Sequence, residues 1–375
     1  MLGFYYSPKA PYRPLLTKWV NQLFLGVPGT GKSEALIRLF LDQIYKGKSG
    51  VFIDPKGHAI DVILDYIPPE RQKDVILFKP SLFPFAFNPL AGVRTSERAL
   101  VTSLIVEMFK GVWPSAVETT RIDRYATIGV ASILEAGYGS LKNLRTLLLD
   151  DEYRKQMLVH VSDSIVLEEW EIFEKDKKRD EKTESILSRL LAIFIDPVIR
   201  DVLDKKTNKL VFKDKIVLVS LNEGELGLRG TKLLGSLVLT SLIAAGVGGL
   251  RSMVYIDHAH AFPSALLRDL LVRCPHLTTT IAVQFLSQLH EDERDTILSS
   301  MRLVAFRTSL EDSERLAPKL LLTQENTDPQ LEDLPDHQAY TLIHGKRQQM
   351  LMPRHNYLPT HQAQKIIRRC KSQLV

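Results

Sequence analysis

Gly26-Val27-Pro28-Gly29-Thr30-Gly31-Lys32-Ser33 is the stretch on which the reading of this chain turns. It satisfies the pattern G-x-x-x-x-G-K-[ST]. An apolar run, Leu23-Phe24-Leu25, precedes it, and a helical pattern from Glu34 to Tyr45 follows. That strand–loop–helix context is what a phosphate-binding loop requires. Glycines let successive backbone N–H groups wrap a β-phosphate, and the helix N-terminus adds a favourable dipole. Lys32 would reach the β and γ oxygens, and Ser33 would ligate Mg2+. The candidate nucleotide-binding residues are therefore Gly26, Val27, Pro28, Gly29, Thr30, Gly31, Lys32, Ser33 and Glu34.

Such a loop needs a carboxylate at the tip of a neighbouring strand to hold Mg2+. Met253-Val254-Tyr255-Ile256-Asp257 fits, and Asp257 is the expected metal residue. The next position, where many ATPases place a glutamate that activates water, is His258, followed by Ala259 and His260. Asp54, in Ile53-Asp54-Pro55-Lys56-Gly57, ends another strand-like run. It is either a second carboxylate on the metal side or a turn-forming Asp before Pro. Gln284, after Thr280 to Val283, is the candidate polar sensor of the γ-phosphate.

Further out, Gly50 to Ile53, Val75 to Phe78, Ile216 to Val219, Met253 to Ile256, Thr279 to Val283, Leu303 to Phe306 and Ala339 to Ile343 are short apolar runs. They have the composition of parallel strands buried on both faces. From about Thr95 to Lys209 the texture changes to charged sequence in which Leu, Ile and Phe recur every three or four residues. The expected organisation is a lead segment over 1–20, one α/β core formed by 21–92 and 213–345, an all-α insertion over 93–212, and a basic tail over 346–375. Three consecutive small domains would leave the first with too few strands to close a core.

The 375 residues, 45% of them hydrophobic, exclude disorder, collagen and coiled coils as the class. Two cysteines, Cys274 and Cys370, support neither a disulfide framework nor a structural zinc site, which points to a reducing, cytoplasmic setting. The net charge of +5 is unevenly spread. Lys346, Arg347, Arg354, Lys365, Arg368, Arg369 and Lys371 lie beyond residue 345 with no acidic residue among them, so everything before carries −2. Such a tail suits nucleic acid, an anionic surface or a solubilising terminus. Ile366, Ile367 and Leu374 among its charges fit a short amphipathic helix. Leu233 to Leu250 is uncharged over a length near the lower limit for crossing a bilayer. Its glycines and hydroxyl residues identify it instead as a buried helix stopping near Ala245, so no integral membrane segment is expected.

Taken in order, further motifs carry a resemblance. They are Asp54-Pro55-Lys56-Gly57, Phe87-Asn88-Pro89-Leu90, Leu221-Asn222-Glu223-Gly224, Leu234-Gly235-Ser236, Tyr255-Ile256-Asp257, Gln284 to Leu289, Val304-Ala305-Phe306-Arg307 and Glu311 to Ala317. With the phosphate loop they resemble the FtsK/HerA class of RecA-like motor ATPases, most closely the coupling proteins of conjugation and type IV secretion and their soluble HerA-like relatives. The match runs from about Asn21 to Gly345. It implies a RecA-like P-loop core with a mainly parallel sheet, interrupted by an all-α insertion. It also implies a homohexamer that hydrolyses ATP with Mg2+ and moves DNA, single- or double-stranded and without sequence preference, with a secretion, relaxase or nuclease partner. An arginine from the neighbouring subunit would complete the ATP site. Arg307 best matches that position, Arg302 is the alternative, and a salt bridge from Arg307 to Glu311 or Asp312 is the structural reading of the same residue.

The chain departs from that pattern twice. About 20 residues precede the first strand where coupling proteins usually carry transmembrane helices, so a soluble member is expected. His258 stands where the family has glutamate, which opens a second reading: a hydrolysis-impaired nucleotide-binding subunit or docking platform. A viral or plasmid DNA-packaging ATPase with the same core is a third.

Overall fold

The computed structural model describes residues 20–113, 119–205, 207–208, 210–321, 330–343, 345–351 and 357–372. Residues 1–19 of the expected lead segment, and Arg354, lie outside the described residues. The first α/β stretch comprises β1 (Gln22–Leu25), α1 (Lys32–Tyr45), β2 (Gly50–Asp54), α2 (His58–Asp65) and β3 (Val75–Phe78). Seven helices follow: α3 (Arg98–Val112), α4 (Thr119–Ala136), α5 (Leu141–Leu149), α6 (Asp151–Leu158), α7 (Ser164–Lys175), α8 (Arg179–Phe194) and α9 (Pro197–Leu203). Strands then return with β4 (Ile216–Ser220), α10 (Glu223–Val247), β5 (Ser252–Ile256), α11 (Ser264–Arg273), β6 (Leu277–Val283), α12 (Glu291–Ser300), β7 (Arg302–Ala305) and α13 (Leu310–Leu316). The described chain ends with β8 (Gln338–Ile343), β9 (Lys346–Leu351) and α14 (Ala363–Ser372).

All nine strands among the described residues join one sheet in the order β3-β4-β2-β5-β6-β1-β7-β8-β9. The seven from β3 to β7 are parallel, and β8 and β9 are antiparallel additions. Every residue of β1, β2, β4 and β5 is buried, because a parallel sheet must be covered by helices on both faces. Aromatic rings extend this core: Phe40 stands edge-on to Phe52 and Tyr255 at 5.4 and 5.5 Å.

Among the described residues, the segment between β3 and β4 is helical, with no strand. It has its own buried centre. Trp170 donates its indole N–H to Ser132 Oγ at 2.8 Å, and the fully buried Arg154 lies over the rings of Trp170 and Phe173 while donating to the Leu147 carbonyl. Asn88 ties this segment to the core. It is fully buried, donates to the Gly139 carbonyl at 2.7 Å and accepts from the Leu90 N–H.

The uncharged stretch tested against a membrane span lies in α10. Its length and composition would allow a span, but 78% of its most apolar window is buried inside the fold, where it packs on α3 and α11. The C-terminal segment is more ordered than its composition implies. β9 extends the sheet beyond the strand expected to be last, and α14 buries Ile366 and Cys370 on its own chain, packed against β3 and α2. Arg369 donates to the carbonyl oxygens of Gln72 and Val75, and Tyr357 stacks on Tyr45 with ring centroids 4.0 Å apart.

Candidate nucleotide site

Register decides which residues meet. Leu25 pairs with Val283 on one side and Ala305 on the other, and Ile53 pairs with Ile256. The loops after β1, β2, β5, β6 and β7 therefore leave the same edge of the sheet, the carboxyl ends of the parallel strands, where ligands of α/β folds bind. A cavity of about 830 Å³ opens there. The phosphate loop, Asp54, Asp257, His258 and Gln284 all line it.

The phosphate loop is held from below. The Val27 N–H donates to the Arg307 carbonyl at 2.8 Å, and a Cβ at position 26 would lie 2.8 Å from both that oxygen and Phe306 Cβ, so only glycine fits. Gly31 begins α1 in the left-handed region at φ 94°, a backbone that costs other residues about 1–2 kcal/mol. Lys32 is buried. Its Nζ donates to the Val27 carbonyl at 2.7 Å, and burial lowers its pKa to about 8 against the attraction of Asp257. An ammonium so desolvated gains strongly from a phosphate partner.

On the opposite wall, Asp257 follows β5 and Asp54 ends β2. Burial raises the Asp257 carboxyl, but the adjacent His258 and the hydrogen-bonded Ser33 hydroxyl outweigh that and hold it below the ordinary value. Asp54 goes the other way: burial, then the charge of Asp257, push it up against backbone N–H groups that favour its ionised form. Both readings of Asp54 hold at once. One oxygen accepts the Lys56 N–H at 2.9 Å and the other the Ala59 N–H at 2.7 Å, which makes it the organiser of the turn into α2. It also stands with Asp257 and His258 in a cluster whose ligand atoms all lie within 4.8 Å of one another. The motif Asp54 to Gly57 is bound to the one from Leu221 to Gly224, since Leu221 N–H donates to the Asp54 carbonyl and Glu223 N–H to that of Pro55.

His258 has left-handed backbone angles, φ 47° and ψ 45°, and its Nδ1 lies 3.3 Å from Asp257 Oδ1. His260 does not join the cluster. Its ring centroid is 5.9 Å from that of His258, and its pKa is lowered to about 4, chiefly by burial, so it is neutral at physiological pH. Gln284 is fixed by Gln288, whose Oε1 accepts the N–H groups of Gln284 and Phe285 at 3.0 and 3.1 Å. Arg307 pairs with neither Glu311 nor Asp312. Its Nη2 lies 2.8 Å from Asp336 Oδ1. Arg302 opens β7 beside Gln22 at the far edge of the sheet.

Cavity-lining residues such as His58, Tyr66, Asp336 and His337 escaped the sequence reading. Asp336 and His337 form the turn before β8 and line the cavity beside the phosphate loop; the His337 Nδ1 lies 3.4 Å from Glu34 Oε2. A Pro-Asp pair before a strand signals a turn and nothing more. The donor set fits a nucleotide with a divalent cation: two buried carboxylates, a serine hydroxyl, a desolvated lysine and a loop that rejects side chains.

No model of a known protein family and no curated protein matches the sequence. Solved structures do match. The plasmid coupling protein TrwB in complex with a non-hydrolysable ATP analogue is 16% identical with a TM-score of 0.68, over 94% of this chain and 89% of that one. TrwB in complex with ADP and Mg2+ is 15% identical with a TM-score of 0.67, over 94% and 90%. VirB4 of Thermoanaerobacter pseudethanolicus is 15% identical with a TM-score of 0.68, over 95% and 97%. The resemblance carried by the motifs is thus borne out at the level of the fold alone: the chain has the RecA-like fold of TrwB and VirB4.

Proposed function

We propose that this chain is an ATP-driven, coupling-protein-like motor that works in the cytoplasm on DNA during its transfer or processing. The carrying observation is the convergence of the phosphate loop, Asp54, Asp257 and Gln284 on one cavity at the carboxyl edge of the sheet, in the fold of a coupling protein whose complexes include ADP with Mg2+. The N–H groups of the loop and Lys32 would hold the β- and γ-phosphates, and Ser33, Asp257 and Asp54 would hold the cation. Bound there, Mg2+ would neutralise negative charge on the phosphates. Gln284 would sense the γ-phosphate. Arg307, supplied by a second copy in a hexameric ring, would meet charge developing on the γ-phosphate. DNA would be held through its phosphates, with a salt-dependent, sequence-independent affinity. Steady-state ATPase with and without DNA tests this: stimulation is expected, and turnover that stays flat on adding single- or double-stranded DNA overturns it. Lys32→Ala should abolish nucleotide binding.

His258 favours a second reading, a nucleotide-binding subunit with impaired hydrolysis that serves as a docking platform. At its position an imidazole beside a cation and phosphates is a poor replacement for a water-activating carboxylate. His258→Glu separates the two: a large gain in turnover supports impairment, and a loss makes His258 a working residue.

A further inference from the structure

Asp54, Asp257 and His258 each offer a ligand atom, and the three atoms lie within 4.8 Å of one another. That spacing suits one coordination sphere, in which ligand atoms about 2.0–2.2 Å from an ion stand roughly 3 to 4 Å apart. The carboxylates are almost wholly buried, at 1% and 2% exposure. Lys32 directs its Nζ at the Val27 carbonyl and the Thr30 hydroxyl and acts on Asp257 through its charge. The third member is the unexpected one. The Nδ1 of His258 is buried and has no hydrogen-bond partner, because its 3.3 Å approach to Asp257 lacks hydrogen-bond geometry. Buried polar atoms without partners are uncommon and call for an explanation. Its left-handed backbone, φ 47° and ψ 45°, holds the ring beside both carboxylates.

We propose that His258 is a metal ligand and that Asp54, Asp257 and His258 form a mixed carboxylate–imidazole site that takes a divalent first-row transition metal in preference to Mg2+. Mg2+ demands oxygen donors and near-ideal octahedral geometry. An imidazole shifts preference toward the later first-row metals, and Mn2+, which keeps the oxygen preference of Mg2+ but accepts nitrogen as well, is the paramagnetic probe among them. The departure from a strand-end Asp-Glu pair is then a change of metal, and the proposal rests on the nucleotide-site reading above.

Pulsed electron paramagnetic resonance of Mn2+ bound to the full chain, alone and with ADP, decides the matter. The expected wild-type spectrum shows nitrogen coupling from a directly bound imidazole. That 14N pattern converts to 15N on [15N]histidine labelling, a control that needs no mutation, and is lost in His258→Gln. The ratio of Mn2+ to Mg2+ affinity should fall by about tenfold or more in His258→Glu, which restores an oxygen donor. Bound Mn2+ without histidine coupling, or coupling that survives in His258→Gln, overturns the proposal. ADP affinity in the same samples reports on the nucleotide site separately. If ADP fails to bind, the nucleotide reading falls while the Mn2+-alone sample still decides on His258.

Discussion

The backbone N–H of His337 donates to the carbonyl oxygen of Thr30 at 3.0 Å, which bonds the turn before β8 to the middle of the phosphate loop. With Val27 bonded to Arg307 and Arg307 paired to Asp336, the loop is clasped by two segments that follow it by most of the chain. The phosphate loop and the segments that flank β7 and β8 are therefore bonded to one another.

Gly31 shows how tight this clasp is. A Cβ there would lie 2.4 Å from His337 Nδ1, in a backbone already at φ 94°. Gly31→Ala should cost about 1–3 kcal/mol of stability and weaken ADP binding, as read by thermal denaturation and titration calorimetry. Adding His337→Ala should recover the part due to collision and leave the part due to backbone strain. Full recovery would mean that the left-handed conformation costs nothing.

Lys32 gives the site a pH dependence with a definite sign. In the free protein its pKa is lowered to about 8 by burial, and only the charged form attracts phosphate. ADP affinity should be level below that pH and should fall above it, by up to about tenfold per pH unit, because binding must then take up a proton. Calorimetry in buffers of different ionisation enthalpy would detect the proton uptake. Constant affinity through the alkaline range would show that Lys32 is not titrating there.

Arg307 is tied to Asp336 within its own chain, and the inter-subunit role proposed for it would require it to reach the site of another copy. Arg307→Ala should lower turnover by about a thousandfold while ADP still binds. Mixing Arg307→Ala with Lys32→Ala chains should restore part of the activity, because some interfaces would then carry both residues. If the side chain only anchors Asp336, Asp336→Ala will reproduce the loss and mixing will restore nothing.

The basic C-terminal residues need a gentler test than deletion, since α14 buries Ile366 and Cys370 against the core. Lys365, Arg368 and Lys371 are exposed. Changing all three to Gln should leave the melting temperature nearly unchanged. If they touch DNA phosphates, the slope of log affinity against log salt should drop by about two to three. An unchanged slope assigns the positive charge no contact with DNA.

Strands and phosphate loop were legible because each is a pattern of consecutive residues. Leu23-Phe24-Leu25 could only be a short buried strand once a glycine-rich turn and a helix followed it, and each of the other apolar runs likewise became a strand. The C-terminal segment was less legible. Lys346 and Arg347 read as tail, yet they begin β9, since pairing with β8 depends on a neighbour's free edge and not on the strand's own composition.

By itself the sequence determined the α/β class, the phosphate loop and the carboxylate at the end of β5, for these follow from local periodicity and spacing. The tertiary structure alone decided that Asp54 stands beside Asp257 and His258, that Arg307 answers to Asp336, and that His337 closes on Thr30. Those meetings depend on strand order: β2 lies next to β5, and β7 lies between β1 and β8. That order is set by the burial of the whole sheet between its helices, which no single stretch of residues encodes.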